Sequence, residues 1–359
     1  MAAPHLEAAP PLRVGIAGLG RLGRRHAHNL AYRVPGAVLA AACSPLDTDL
    51  AWARDALPSA RCYDDYAALV ADDTLDAIWL VTPSALHAAQ IVDALRAGKH
   101  VFCEKPLSLD VAECERVTHE AARYPHLQVT IGFMRRFDPS YQDAFAKVRA
   151  GVIGRPFLVR SQTCDLNDPD GFFVRFAPTS GGIFLDCTVH DIDVARWLLG
   201  APRATRVYAA GAVALHEGLR DVGDVDNGVA VCEFDGGRLA MFYASRTMAH
   251  GNDTSSEVIG TAGALTIGRI PRANRVEIHD ASGVRSVCTP TFFDRFDDAF
   301  LNEAHAFVAA VRAQREAAGA DRRDAQPGQD GATLADALEA TRIGCALRES
   351  LHTGQAVTL

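Results

Sequence analysis

The sequence predicts an α/β chain: an N-terminal doubly wound parallel sheet, then a second, α+β domain built on a large, mostly antiparallel sheet. Three observations point there. Short apolar runs alternate with longer helical patterns as far as Phe133, the order expected of parallel strands covered on both faces. From Thr205 onward, strand-like runs follow one another across turns such as Asp235-Gly236-Gly237 and Thr261-Ala262-Gly263, as antiparallel neighbours do. The length of 359 residues exceeds what one hydrophobic core usually serves.

In chain order, residues 1–11 read as a flexible extension, 12–134 as the first domain, and 135–359 as a domain for substrate binding and oligomerisation. Residues 12–17 form an apolar strand, 22–33 a helix and 37–43 a second strand. Residues 75–81, 100–103 and 127–133 continue the strand series, with helices at 84–97 and 110–123. A helix at 139–150 then leads into a strand at 157–163. Further strands are expected at 207–213, 228–234, 238–245, 257–260, 264–267 and 276–279. Helical patterns at 296–315 and 333–351 flank a polar segment, 316–331, read as an exposed loop. The C-terminal helix is expected to pack back on the first domain.

Composition excludes several classes of function. Thirty-six basic residues against 44 acidic ones give a formal charge of -8, so no broad basic face is available for nucleic acid. No apolar run approaches the roughly 20 residues of a membrane span. Residues 1–11 lack the basic-then-apolar order of a secretory leader. The nine cysteines are scattered, with no C-x-x-C pair, which fits free thiols in a reducing cytoplasm and argues against a structural zinc site. A cytoplasmic protein acting on a small molecule, without a metal, is the expectation.

The chemistry begins at Gly18-Leu19-Gly20-Arg21-Leu22-Gly23, which directly follows the first strand and opens a helix. In that setting the first glycine permits the tight turn, the second lets backbone approach a pyrophosphate, and the third lets helix pack closely on strand. The helix N-terminus then faces the phosphate charge. The turn marks a Rossmann dinucleotide-binding domain and a nicotinamide-dependent oxidoreductase. Such domains usually carry an acid after the second strand to hold the adenosine ribose. Here Ser44 stands in that place and Asp47 follows. A hydroxyl tolerates a 2′-phosphate more readily than a carboxylate does, so NAD and NADP both stay open. Arg21, Arg24 and Arg25 read as a solvated helix face, joined by His26 and His28, or as positive charge for a phosphate, with Arg21 and Leu22 of the turn counted among the cofactor-binding residues. Thr82, Pro83 and His87 follow a parallel strand, where His87 either lines the cofactor cleft or caps a helix.

Two further groups carry candidate chemistry. Glu104-Lys105-Pro106 ends a strand, and proline disfavours helix at Lys105; the charges lie where ligands bind in open α/β sheets, or form a solvated pair. Asp186 and His190 are four apart, so on one helix they share a face. They read either as an acid/base pair, with the carboxylate orienting the imidazole, or as a surface pair.

Together GLGRLGRRHAHNL, VTPSALHA, VFCEKPLSLD, IGFMRRFDPSY and GGIFLDCTVHDIDVARWLLG resemble, in their order, the Gfo/Idh/MocA oxidoreductase family, in particular its inositol 2-dehydrogenase branch. The resemblance spans nearly the whole chain. It implies that Lys105 binds the reacting hydroxyl of a cyclic polyol or sugar, with Asp186 and His190 as acid/base dyad, and that Met134, Arg135, Asp165 and His250 contact substrate. It also implies Glu104 and Lys105 at the nicotinamide end and a homotetramer. Residues 291–300 carry phenylalanines where inositol enzymes of this type often present Trp or Tyr, which brings other sugars and polyols close behind inositol. Competing readings are a sugar dehydrogenase, an NAD(P)-binding sensor without turnover, a glycosidase with tightly held NAD, and nucleophilic catalysis by Cys103 or Cys187.

Overall fold

Near-continuous apolar runs make the first sheet. In the computed structural model, which describes residues 10–319 and 331–359, these runs are β1 (Leu12–Ala17), β2 (Ala37–Cys43), β3 (Arg61–Tyr63), β4 (Ala77–Leu80), β5 (His100–Glu104) and β6 (Val129–Gly132). They stand in the order β3-β2-β1-β4-β5-β6, and the β2–β3, β1–β2, β1–β4 and β4–β5 pairings are parallel. Every residue of β4 and β5 is buried, as in sheets covered on both faces. Helices α1 (Arg21–Tyr32), α2 (Asp47–Ala56), α3 (Tyr66–Val70), α4 (Ser84–Arg96) and α5 (Val111–Ala121) lie in the connections. The winding reverses between β1 and β4, and such a reversal opens a crevice beyond the carboxyl ends of the strands. The sequence reading omits α2, β3 and α3, all short. Its expectations for residues 1–9 and 320–330 lie outside the described residues.

The remaining elements are α6 (Pro139–Arg149), β7 (Pro156–Leu166), α7 (Phe172–Ser180), α8 (Ile183–Asp186), α9 (Val189–Leu198), β8 (Ala204–Ala212), β9 (Asn227–Phe234), β10 (Arg238–Met248), β11 (Asp253–Gly260), β12 (Gly263–Ile267), β13 (Glu277–Asp280), β14 (Gly283–Ser286), α10 (Phe292–Arg295), α11 (Asp297–Gly319), α12 (Leu334–Thr353) and β15 (Val357–Thr358). The second sheet runs β12-β11-β7-β10-β9-β8-β15. Its pairings are antiparallel except β7 with β10. Helices α8, α9 and α12 pack on it. The other face is bare: β8 to β10 turn Tyr208, Val229, Val231 and Met241 outward, each exposed, and Tyr208 and Met241 both pair in register with Val231. Instead of the single strand expected at 276–279, a separate hairpin forms from β13 and β14.

The described residues divide into two compact units, 10–104 with His119–Thr130 and 301–319, and Lys105–Thr118 with Ile131–Phe300 and 331–359. The C-terminal helix α12 therefore belongs to the second unit. It is the helix before it that contributes to the first: Ala304, Phe307, Val308 and Val311 join Leu12, Val14, Ile16, Trp79 and Phe102 in one core. That helix continues to Gly319, through residues 316–319 expected in the loop. His26, expected on a solvated face, is instead fully buried on α1 with Gly23, Ala27 and Leu30. No helix among the described residues is long and apolar enough to cross a membrane.

Candidate active site

In the first unit the glycine turn is shaped as a phosphate cradle. Gly18 has φ +93°, and a Cβ there would lie 2.3 Å from the Val81 carbonyl oxygen. At Gly23 a Cβ would lie 2.0 Å from the Gly18 carbonyl oxygen, so only glycine lets α1 close on β1. Gly20 differs: no atom stands within 4 Å of its would-be Cβ, and its φ of -66° suits any residue. The fold leaves Gly20 free, and the open space beside it is what an approaching pyrophosphate needs. Gly20 is also the N-cap of α1, with no side-chain cap and no acid in the first turn, so the N–H groups around Arg21 and Leu22 keep their affinity for an anion. These residues fit a dinucleotide. Gly20→Val is expected to leave the thermal midpoint within about 2 °C while raising the NAD+ dissociation constant at least about tenfold, measured by thermal unfolding and NADH fluorescence titration.

At the end of β2, the Ser44 hydroxyl donates to Asp49 Oδ2 at 2.8 Å, and Arg24 Nη2 lies 3.0 Å from Asp49 Oδ1. An acid from the first turn of α2, which the sequence reading missed, thus stands beside Ser44 at the strand end. Beyond β4, Thr82 Oγ1 donates to Gln90 Oε1 at 2.5 Å, and His87 Nε2 lies 2.8 Å from the Thr82 carbonyl oxygen. His87 is buried and braces the Thr82-Pro83 turn from inside α4.

In the second unit a chain of charges runs through Asp186. Lys105 Nζ donates to the Asp186 carbonyl oxygen at 2.8 Å and lies 3.4 Å from Oδ1. Arg246 Nη2 donates to Asp186 Oδ2 at 3.2 Å and Nη1 to Asp224 Oδ2 at 2.8 Å. Asp224 Oδ1 in turn accepts from the Ile183 amide at 3.0 Å, at the N-terminus of α8. Gly181 and Gly182, φ +80° and +85°, make the turn that starts α8. Burial pushes the Asp186 carboxyl up, but Lys105 and Arg246 outweigh it and hold it below the usual range. Neighbouring Asp165 is raised to about 6, by burial first and the Asp186 charge second; its Oδ1 accepts from Asn252 Nδ2 at 3.1 Å.

The expected hydrogen bond between Asp186 and His190 is not formed. Asp186 ends α8 and His190 sits in α9, with Cys187 and Thr188 between the helices, and the carboxylate turns to two cations instead of a neutral ring. His190 is buried, edge-on to Phe133 at 6.1 Å, and its Nδ1 has no hydrogen-bond partner among the described residues. Burial, then Lys105 and Arg135, push its pKa well below the ordinary value, so the imidazole is neutral and ready to accept a proton.

Of the expected substrate contacts, Asp165 joins this cluster. Arg135 is 1% exposed and is bound inside the protein: Nη1 donates to Asp191 Oδ1 at 2.7 Å and Nη2 to Thr163 Oγ1 at 2.5 Å. Met134 is buried on the same turn. His250 is exposed, 3.5 Å from Asp253. Burial drives the thiols of Cys103 and Cys187 well above the usual range, which removes the thiolate that nucleophilic catalysis requires. Arg246 and Asp224 were missed because their partners lie 22 to 60 positions away in sequence, and no local spacing marks them.

Residues 12–133 match the model of an oxidoreductase family with an NAD-binding Rossmann fold, and residues 141–266 match the GFO/IDH/MocA C-terminal domain. The chain is 38% identical over 301 residues to scyllo-inositol 2-dehydrogenase (NAD(+)) of Bacillus subtilis, covering 84% of this chain and 86% of that one. It is 33% identical over 349 residues to myo-inositol 2-dehydrogenase of Thermotoga maritima, covering 97% and 98%. Among solved structures it resembles scyllo-inositol dehydrogenase from Lactobacillus casei with bound NAD(H) and scyllo-inositol, with a TM-score of 0.89, 36% identity and coverage of 97% and 99%. With a glycine cradle in one unit and a lysine, a carboxylate and a neutral histidine in the other, the chain belongs to the GFO/IDH/MocA family of oxidoreductases.

Proposed function

We propose that this protein is an NAD-dependent inositol dehydrogenase that oxidises one secondary hydroxyl of myo- or scyllo-inositol to a ketone. The observation that carries the reading is the Lys105–Asp186 pair with a neutral, buried His190 in the same unit. Bound NAD+ supplies the hydride acceptor. Lys105, fixed by Asp186, donates a hydrogen bond to the reacting oxygen and stabilises the alkoxide as it develops, the role of a preorganised donor. His190 accepts the hydroxyl proton, so the C–H and O–H bonds of the carbinol break and a C=O bond forms. Asp165, as a carboxylate, accepts from a neighbouring ring hydroxyl. Asp49 beside Ser44 repels a 2′-phosphate, which supports NAD over NADP.

The reading includes a homotetramer in the cytoplasm. The exposed apolar face of Tyr208, Val229, Val231 and Met241 supports burial against another copy, and free cysteines suit a reducing compartment. The test follows reduced-cofactor absorbance with NAD+ and NADP+ separately against myo-, scyllo- and D-chiro-inositol and common aldoses, with sedimentation giving the mass. NAD+-dependent turnover of an inositol above all aldoses is expected. Cofactor binding without turnover across the panel favours the sensor reading, preference for an aldose makes it a sugar dehydrogenase, and a monomer overturns the assembly.

A further inference from the structure

A buried cluster in the first unit takes no part in the steps above. His26 from α1, Glu104 from β5 and Glu303 from α11 each bring one nitrogen or oxygen atom within 4.8 Å of the others. The side chains of His26 and Glu303 are fully buried, and that of Glu104 is 7% exposed. His26 Nε2 stands 2.8 Å from Glu104 Oε1 and 3.9 Å from Glu303 Oε1. A carboxylate only accepts hydrogen bonds, so Nε2 carries the hydrogen shared with Glu104. Trp79 and Phe102 flank the imidazole, with ring centroids 5.4 and 5.7 Å away.

Glu303 is the anomaly. Neither of its carboxyl oxygens has a hydrogen-bond partner among the described residues, and both are buried. An ionised carboxylate in that state loses its hydration without replacement and faces the like charge of Glu104. Two carboxyls so close do not both ionise. Burial first and the Glu104 charge second push the Glu303 carboxyl well above its ordinary range, in line with the geometry. The cluster is also placed to matter. His26 follows Gly23 by three residues on α1, and Glu104 immediately precedes Lys105, so one contact ties the helix that opens at the glycine turn to the strand that ends at the lysine.

We propose that Glu303 is an uncharged carboxylic acid that, with His26, positions the Glu104 carboxylate and, through the next peptide bond, Lys105. It is a positioning residue, and one charge in place of two keeps the Glu104–His26 contact closed. The protonation of Glu303 stands by itself; its effect on turnover rests on the dehydrogenase reading.

Glu303→Gln, a neutral shape-mimic, is expected to keep the thermal midpoint and, with inositol, a kcat within about twofold of wild type. Glu303→Ala is expected to lower kcat by on the order of 10- to 100-fold, the scale of a displaced catalytic group, with the NAD+ dissociation constant nearly unchanged. The infrared difference spectrum of wild type minus Glu303→Gln near neutral pH, without substrate, is expected to contain the C=O stretch of an un-ionised acid. That band decides the protonation even if no inositol is turned over. If Glu303→Gln does not fold, the same band is sought in wild type labelled with carboxyl-13C glutamate. Absence of the band, a stoichiometric divalent metal in the purified protein, or Glu303→Gln behaving as Glu303→Ala overturns the proposal. A Glu303→Ala enzyme of wild-type kcat overturns the positioning role.

Discussion

Replacing His190 by glutamine is expected to lower kcat for inositol oxidation by about 10²- to 10⁴-fold, the usual contribution of a general base. Lys105→Met is expected to lower it by about 10²- to 10³-fold, as loss of one preorganised donor does. In the His190 variant NAD+ binding, followed by NADH fluorescence, is expected to stay at the wild-type level, because His190 belongs neither to the glycine turn nor to the residues placed at the nicotinamide. The imidazole is neutral because burial and the Lys105 and Arg135 cations work against its charge, so its titration lies below the ordinary histidine range. The acid limb of kcat/KM is expected to follow Asp165 instead, whose carboxyl is raised to about 6: on the proposed reading it accepts a hydrogen bond from the polyol above that value, and as pH falls through it the carboxyl takes a proton and activity is expected to drop. Asp165→Asn is expected to abolish that limb and leave a lower, flat profile; an unchanged limb would refute the assignment.

Arg246→Met is expected to destabilise the protein by about 3–5 kcal/mol, the cost of leaving buried charge without its partner. The Arg246 side chain is fully buried between Asp186 and Asp224, 3.2 and 2.8 Å away, and its guanidinium lies 5.5 Å from the Phe173 ring centroid. Removing it takes a cation from two carboxylates at once, leaving Asp186 with Lys105 and Asp224 with the Ile183 amide. Arg246→Lys restores little, since one ammonium does not reproduce the planar fork that spans both acids. Urea unfolding checks the stability. The variant also raises the Asp186 pKa, because one of the two cations that hold it down is gone. A stability loss below about 1 kcal/mol, the scale of an exposed pair, would show that the bridge is not closed.

Much of this was legible from local pattern. The glycine turn follows its strand directly, and the two glycines that cannot change are the two whose Cβ would strike backbone. The sheet could be read because its strands are apolar almost throughout. What sequence spacing did not reveal was competition between partners. Asp186 and His190 have the i, i+4 spacing of a helical pair, yet Arg246, sixty positions on, takes the carboxylate. The carboxylate beside Ser44 was not visible at the strand end because the connection after β2 brings in Asp49, a matter of turn geometry that composition does not encode. Glu303 did leave a signal. The buried residues of α11 include Ala299, Phe300, Ala304, Phe307, Val308 and Val311, and Glu303 falls on their stripe, where a helix seldom carries an unpaired acid. His26 sits likewise among the buried residues of α1.

The contribution of residues 301–319 to the first unit has a consequence for biosynthesis. Trp79 and Phe102 stack at 3.7 Å, and Phe307 meets them edge-on at 5.4 and 6.1 Å. Phe307 follows Phe102 by 205 positions, so the ribosome delivers this last wall only after nearly all of the second unit has emerged. Domains generally fold in the order they are made; here the part made first is not complete until most of the other unit has been made. A nascent chain arrested before Leu301 exposes the Trp79–Phe102 stack and is expected to recruit chaperones until α11 arrives.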